Sequence, residues 1–237
     1  MAGYREFQTG EVLTAANVDD FLAKQAVMKF ADSAARDTAL GTAVAGGNAL
    51  REGMASYLDD TNEFEVYDGT SWNGLGGLVA VKSAIFTGTQ TNSTATGAAF
   101  DVTDLSITHT PANVANKIVV MFQVTGAVDG GASFRALMAA RVTRDDTPIG
   151  VADAAGSRTS VHSVTSATSG TSGISSVSGV FVDDPSSVSA LTYKVQAVNA
   201  IMNAGTYTVY VNRSVTDGDA AHISRAVSSL VLMEVKV

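Results

Sequence analysis

Cysteine is absent from the 237 residues. That excludes disulfide frameworks, thiolate metal sites, iron–sulfur clusters and cysteine nucleophiles. There are only 3 prolines and 1 tryptophan. Charge is sparse, at 16% of residues, against about 25% in an average soluble domain. The basic share is smaller still: 15 Lys and Arg stand against 23 Asp and Glu, for a net charge of −8 and a pI near 4.7. Such a chain repels polyanions on average, so nucleic-acid binding through a basic face is not expected. No apolar run approaches the roughly 18 residues that a membrane-spanning helix needs, so membrane insertion is not expected either. The opening MAGYREFQTG has no apolar signal core, which predicts a protein that does not take the Sec export route. What is present is small and apolar: hydrophobics make up 46% and glycine counts 22. The length suffices for a hydrophobic core without metal or disulfide support, since a domain near 150 residues buries roughly 70% of its unfolded surface.

The pattern changes near residue 75. Thr14 suits a helix N-cap and precedes AANVDDFLAKQAVMKF, where Val18, Phe21, Leu22 and Gln25 recur at helical spacing. Asp32 or Ser33 can cap a second, shorter helix over AARDTAL. Met54, Ser56 and Leu58 alternate with their neighbours, and so do Phe64, Val66 and Asp68 after a polar turn at Asp60-Thr61-Asn62. That predicts a β-hairpin, with a second tight turn at Asp68-Gly69 before Trp72. Asn73 to Gly77, reading NGLGG, is the expected linker. It divides the chain into an N-terminal region over 1–75 and a C-terminal domain over 76–237.

Beyond the linker the period drops to two and about eight strands are expected. The clearest are 133–144, 190–198, 205–213, 117–126 and 228–237; weaker ones lie at 79–87, 102–109 and 177–183. Over 133–144, Phe134, Ala136, Met138, Ala140 and Val142 share one face. The serine- and threonine-rich stretch 156–176 reads as a long loop, with a strand pair as the alternative. The expected fold is mainly β: a C-terminal antiparallel β-sandwich, jelly-roll-like, with a small N-terminal α+β region of one or two helices and a hairpin.

No residue pattern points to catalysis. His109, His162 and His222 lack ligand spacing and read as polar strand-edge or loop residues. The sharper reading is a histidine cluster formed about a three-fold axis. Gly170-Thr171-Ser172-Gly173 is one residue short of a nucleophile elbow. The acidic pairs Asp59-Asp60, Asp145-Asp146 and Asp183-Asp184 fall where turns are expected. Asp217-Gly218-Asp219 hints at a calcium loop, but the other ligand positions are missing. No catalytic, metal or cofactor site is therefore assigned, and no enzyme is expected. Several strands carry apolar or small side chains on both faces, as with Leu137 and Ala139 beside Met138 or Tyr210 beside Val209. With so thin a coat of charge, the second face is expected to meet another copy of the chain.

Four segments carry a family resemblance: FQTGEVLTAANV (Phe7–Val18), QAVMKFADSAARD (Gln25–Asp37), EGMASYLDDTN (Glu52–Asn62) and EVYDGTSW (Glu65–Trp72). Together they resemble the start of bacteriophage tail-fibre and minor tail proteins. The ending ISRAVSSLVLMEV (Ile223–Val235) more loosely resembles the jelly-roll heads of trimeric phage fibres. The resemblance implies a homotrimeric virion structural protein, made in the host cytoplasm. Residues 1–75 would attach to another virion protein, and the β head would contact a host-surface glycan or protein. A capsid decoration or head-fibre protein of the same fold is the first alternative, and a lectin-like glycan-binding module the second. For the lectin reading, Trp72 lies in the anchoring hairpin, and Tyr193 and Tyr207 are expected in the core.

Overall fold

The computed structural model describes residues 9, 10, 12, 14, 27–40, 50–129, 137–166 and 172–236. It divides into two compact units, Met1–Gly77 and Leu78–Val237.

The first unit contains strands β1 (Val27–Phe30), β2 (Ala55–Leu58), β3 (Glu63–Tyr67) and β4 (Trp72–Gly74), in that sheet order, and helix α1 (Ser33–Leu40). β1 runs parallel to β2, and the other pairings are antiparallel. The long helix expected after Thr14 fails at its end, because Val27–Phe30 is a strand; residues 15–26 lie outside those described. The reason is pairing: β1 adds to the hairpin edge, and Phe30 O and Ala31 O accept from the amides of Asp59 and Asp60. The shorter helix forms as expected. Asp32 is its cap, with Oδ1 accepting the Ala35 amide at 2.7 Å.

Of the apolar residues that alternate in this sheet, Leu58 is the buried one. The buried positions are Ser56, Leu58 and Glu65, while Phe64 and Val66 are half-buried. Glu65 pairs with Arg36, itself buried, and accepts the Ser56 hydroxyl at 3.2 Å. The Arg36 guanidinium lies 4.9 Å from the Trp72 ring centroid. The turn at Asp68-Gly69 is present: Asp68 Oδ1 accepts the amides of Thr70 and Ser71, both at 2.8 Å, and Gly69 supplies a φ of 97°. These bonds, from Ser71 first and Thr70 next, hold the Asp68 carboxyl well below the usual range. The expected linker starts late, since Asn73 and Gly74 belong to β4 and the Leu75 amide donates to Phe64 O.

The second unit is an antiparallel β-sandwich, as the alternation predicts. One sheet joins β7 (Ala99–His109), β9 (Leu137–Arg144), β10 (Thr147–Ile149), β11 (Ser163–Ser166) and β13 (Leu191–Asn199); its path is β10-β9-β13-β7, with β11 also on β9. The other joins β5 (Leu78–Phe86), β6 (Gln90–Ala95), β8 (Lys117–Asp129), β12 (Ser175–Asp183), β14 (Thr206–Val211) and β15 (Ser228–Val235); its path is β5-β15-β8-β14-β6, with β12 also on β8. Between them lies a core that includes Leu105, Ile118, Val120, Met138, Tyr193, Leu230 and Leu232. Over its first half β8 alternates buried and less buried residues, with Ile118, Val120, Phe122 and Val124 turned inward, and β15 alternates throughout. Burial of each such side chain contributes about 1.5–3 kcal/mol.

Several expectations shift. β6 and β10 were not anticipated. Residues 163–166 form a strand within the stretch 156–176, which is otherwise irregular up to the start of β12 at Ser175, with 167–171 outside the described residues. The strand expected over 133–144 is described only from Leu137; there both faces are covered, since Ala139 and Thr143 are buried alongside Met138 and Val142. Asp145 and Asp146, with φ of 48° and 64°, are the central residues of the tight β9–β10 turn.

β8 has three partners. β12 runs along one edge; the other edge pairs with β15 over 117–123 and with β14 over 126–129. Asn212, fully buried with φ 62°, fills the switch between them. Its amide donates to Thr125 O, its Nδ2 to Phe86 O and Gly88 O, and its Oδ1 accepts from Ser228 Oγ, all within 2.9 Å. Ser228 Oγ in turn accepts the Thr125 amide at 3.1 Å. Beside this node a Cβ on Gly126 would stand 2.1 Å from Tyr210 O. Gly126→Ala therefore has to part β8 from β14, and urea unfolding of this variant is expected to show a loss of about 3 kcal/mol or more.

Candidate functional site

The two sheets of the sandwich present unlike outer faces. On the five-stranded sheet the face is tied by polar side chains. Arg141 Nε donates to Gln196 Oε1 at 2.8 Å, and Gln196 Nε2 donates to Asp101 Oδ1 at 2.7 Å. Lys194 sits between Asp146 at 2.8 Å and Asp101 at 3.4 Å. These carboxylates raise the lysine's pKa, Asp146 most. Thr108 and Thr192 join hydroxyls at 3.1 Å. Such a face is suited to water.

The outer face of the six-stranded sheet is apolar. Val81 and Ile85 on β5 are 55% and 60% exposed, and Val180 and Val182 on β12 are each 62% exposed. Between them stand Val119 and Met121 of β8 and Val231 and Met233 of β15, all half-buried. Of the residues that illustrate two-sided apolar strands in the sequence, Leu137 and Tyr210 are half-buried and Ala139 is fully covered. The strongly exposed apolar residues of this face belong to its outer strands β5 and β12, with the half-buried residues of β8 and β15 between them.

The titratable groups flagged in the sequence take structural positions. His109 ends the edge strand β7 but does not face solvent: it is 5% exposed, and its Nε2 lies 2.8 Å from Glu234 Oε2. Glu234 Oε1 accepts the Ala112 amide at 2.7 Å and Asn116 Nδ2 at 2.6 Å. Glu234 is on β15 and His109 on β7, so the pair bridges the two sheets. Burial by itself would raise the Glu234 pKa; the bonds from Asn116, Ala112 and His109 outweigh it and hold the pKa below its ordinary value. Asp183, expected in a turn, forms a second bridge. Asp183, 9% exposed at the end of β12, accepts Arg144 Nη1 of β9 and the Tyr193 hydroxyl of β13, at 2.6–2.8 Å. Burial, then Asp183, pushes the Tyr193 phenol well above its ordinary value.

His162 is half-buried, with the rings of Phe122 and Phe181 at 5.4 and 5.3 Å and its Nδ1 2.7 Å from Gly150 O. His222 is exposed. The three histidines are not brought together by bonds within the chain. Asp217 is engaged by Arg225 at 2.6 Å and Arg213 at 3.6 Å, so its carboxylate serves guanidinium groups, not a calcium loop. Around it lies an open pocket of about 380 Å³, lined by Asp217, Gly218, Asp219, Ala220, Ile223 and Arg225. Among the described residues no three His, Asp or Glu side chains converge as a metal set, and no helix is long and apolar enough to cross a membrane.

No known protein family matches the chain, and no curated protein matches it. Among solved structures, one described as the structure of infectious bursal disease virus Gx strain is similar at a TM-score of 0.34 and 11% identity. The match covers 73% of this chain and 46% of that one.

The bridge through Glu234 makes a pH prediction. Its folded pKa is depressed from 4.5, so its stabilising contribution is complete above the unfolded value and is lost as pH falls through the folded one. The melting temperature of the wild type is expected to drop with acidification below about 4.5. Glu234→Gln, which cannot titrate, should start lower at neutral pH and lose less across that window. Parallel slopes for the two proteins would contradict the assignment.

Proposed function

We propose that this chain is a non-enzymatic structural subunit of a bacteriophage particle. It is a homotrimeric short tail fibre or tail-tip protein, held to the particle through residues 1–75, whose sandwich meets the host surface. The observation that carries the reading is the contrast between the two outer faces of the sandwich: one laced with polar side chains, the other apolar and more than half exposed at Val81, Ile85, Val180 and Val182. A chain with so few charges keeps such a face by assembling. The similarity of residues 7–73 to the start of tail-fibre and minor tail proteins supports attachment through the first unit. The buried carboxylates Glu234 and Asp183 are consumed in bonds between the sheets, as suits a structural module.

The test is composition. Mass spectrometry of purified particles should find the chain in a copy number divisible by three, and antibody labelling should place it at the tail. Light scattering of the isolated protein should give a mass near three times 24.3 kDa. Particles free of the chain would overturn the proposal.

A further inference from the structure

We propose that Arg141 and Thr143, on the outer face of the five-stranded sheet, form a binding site for a single carboxylate, carried by a sugar acid. The inference deepens the host-contact reading and rests on it. The two residues stand two apart on β9, so they share that face, about 6.6 Å from each other along the strand. The register sets Gln196 and Lys194 of β13 opposite them. Arg141 Nε is taken by Gln196 Oε1, and Gln196 is itself held by Asp101. These bonds fix the plane of the guanidinium and leave over the edge formed by its two Nη groups. That edge carries two parallel N–H bonds, the geometry that grips both oxygens of a carboxylate.

Two observations point to a ligand. Among the described residues, Arg36, Arg144, Arg213 and Arg225 each hold a carboxylate. Arg141 is half-buried and holds none: burial alone acts on its pKa, and lowers it. The second observation is Thr143, which is fully buried and whose Oγ1 has no hydrogen-bond partner, although buried hydroxyls are nearly always bonded. Its long neighbours on this face are Arg141 and Lys194, and a rotamer step of either opens the hydroxyl to a ligand seated on Arg141. A carboxylate there accepts from both Nη groups and from Thr143 Oγ1.

Charge and surroundings narrow the ligand. Lys194 is balanced by Asp146 and Asp101, so the unbalanced charge is that of Arg141. Asp101, opposite Gln196 in the same row, repels a second negative charge. The site therefore suits a monoanion and not a dianion such as phosphate. Around it stand hydroxyls: Ser106 opposite Lys194, then Thr108 and Thr192. They match a ligand whose body carries hydroxyls of its own.

Calorimetric titration of the full chain at fixed ionic strength tests this, with sodium glucuronate as probe and acetate, glucose and inorganic phosphate as comparisons. Glucuronate is expected to bind at one site per chain and about tenfold more tightly than any of the three. Arg141→Gln and Arg141→Lys should each weaken it about tenfold, because lysine keeps the charge and loses the two-pronged edge. Thr143→Val should also weaken it, while its melting temperature holds or rises, since the lost hydroxyl had no partner. Arg225→Gln, on a separate loop, should bind as the wild type does. A wild type that does not bind glucuronate, equal binding of acetate, glucose or phosphate, or Arg141 and Thr143 variants with wild-type affinity would overturn the site. Glucuronate binding by a chain that purified particles lack leaves the site standing and removes the virion reading. Particles that carry a chain blind to glucuronate do the reverse.

Discussion

The sandwich depends on one long strand holding three neighbours. β8 runs thirteen residues with β12 on one edge and, on the other, β15 followed by β14. An edge cannot change partner without leaving backbone groups unpaired at the switch, and an unpaired buried group costs about 1–3 kcal/mol. Asn212 removes that cost. Its left-handed backbone turns the chain out of β14, while its side chain supplies two donors and one acceptor to Phe86, Gly88 and Ser228. With the switch closed, β5 and β15 extend the sheet at one end of β8 and β14 and β6 at the other. The apolar outer face exists because the first of these halves is four strands wide.

Ionic groups hold the layers together at two places. Glu234 reaches His109 and the segment after β7; Asp183 reaches Arg144 and Tyr193. In both cases a carboxylate from the six-stranded sheet crosses to the other. Buried pairs of this kind add little net stability, yet losing one partner costs about 3–5 kcal/mol. Their effect is to fix how the sheets face each other, which sets where the apolar face lies. The first unit repeats the device with Arg36 and Glu65.

Much of the fold was legible. Alternation over 117–126, 190–198 and 228–237 locates central strands because a sandwich buries every second side chain. The turn at Asp68-Gly69 and the cap at Asp32 are local chemistry, read from a few residues. Three things were not legible. Glu65 is buried because Arg36, 29 residues away, meets it. Val27–Phe30 looked helical because its period fits, and becomes a strand because an open sheet edge accepts it. β6, reading QTNSTA, has no apolar alternation, and forms by pairing with β14 more than a hundred residues later.

The candidate face divides the same way. By itself the sequence determined that the chain is mainly β, that it has no thiol chemistry, and that its apolar residues exceed what one core requires. Those are properties of composition and short-range period. Only the tertiary structure decided that apolar residues stand exposed on β5 and β12 of one outer face, and that His109 and Asp183 are interior bridges. The reason is that in the sandwich neighbouring strands are mostly distant in the chain. Which side of a strand is covered depends on the sheet stacked against it, and that partner is chosen by long-range pairing that no local pattern encodes.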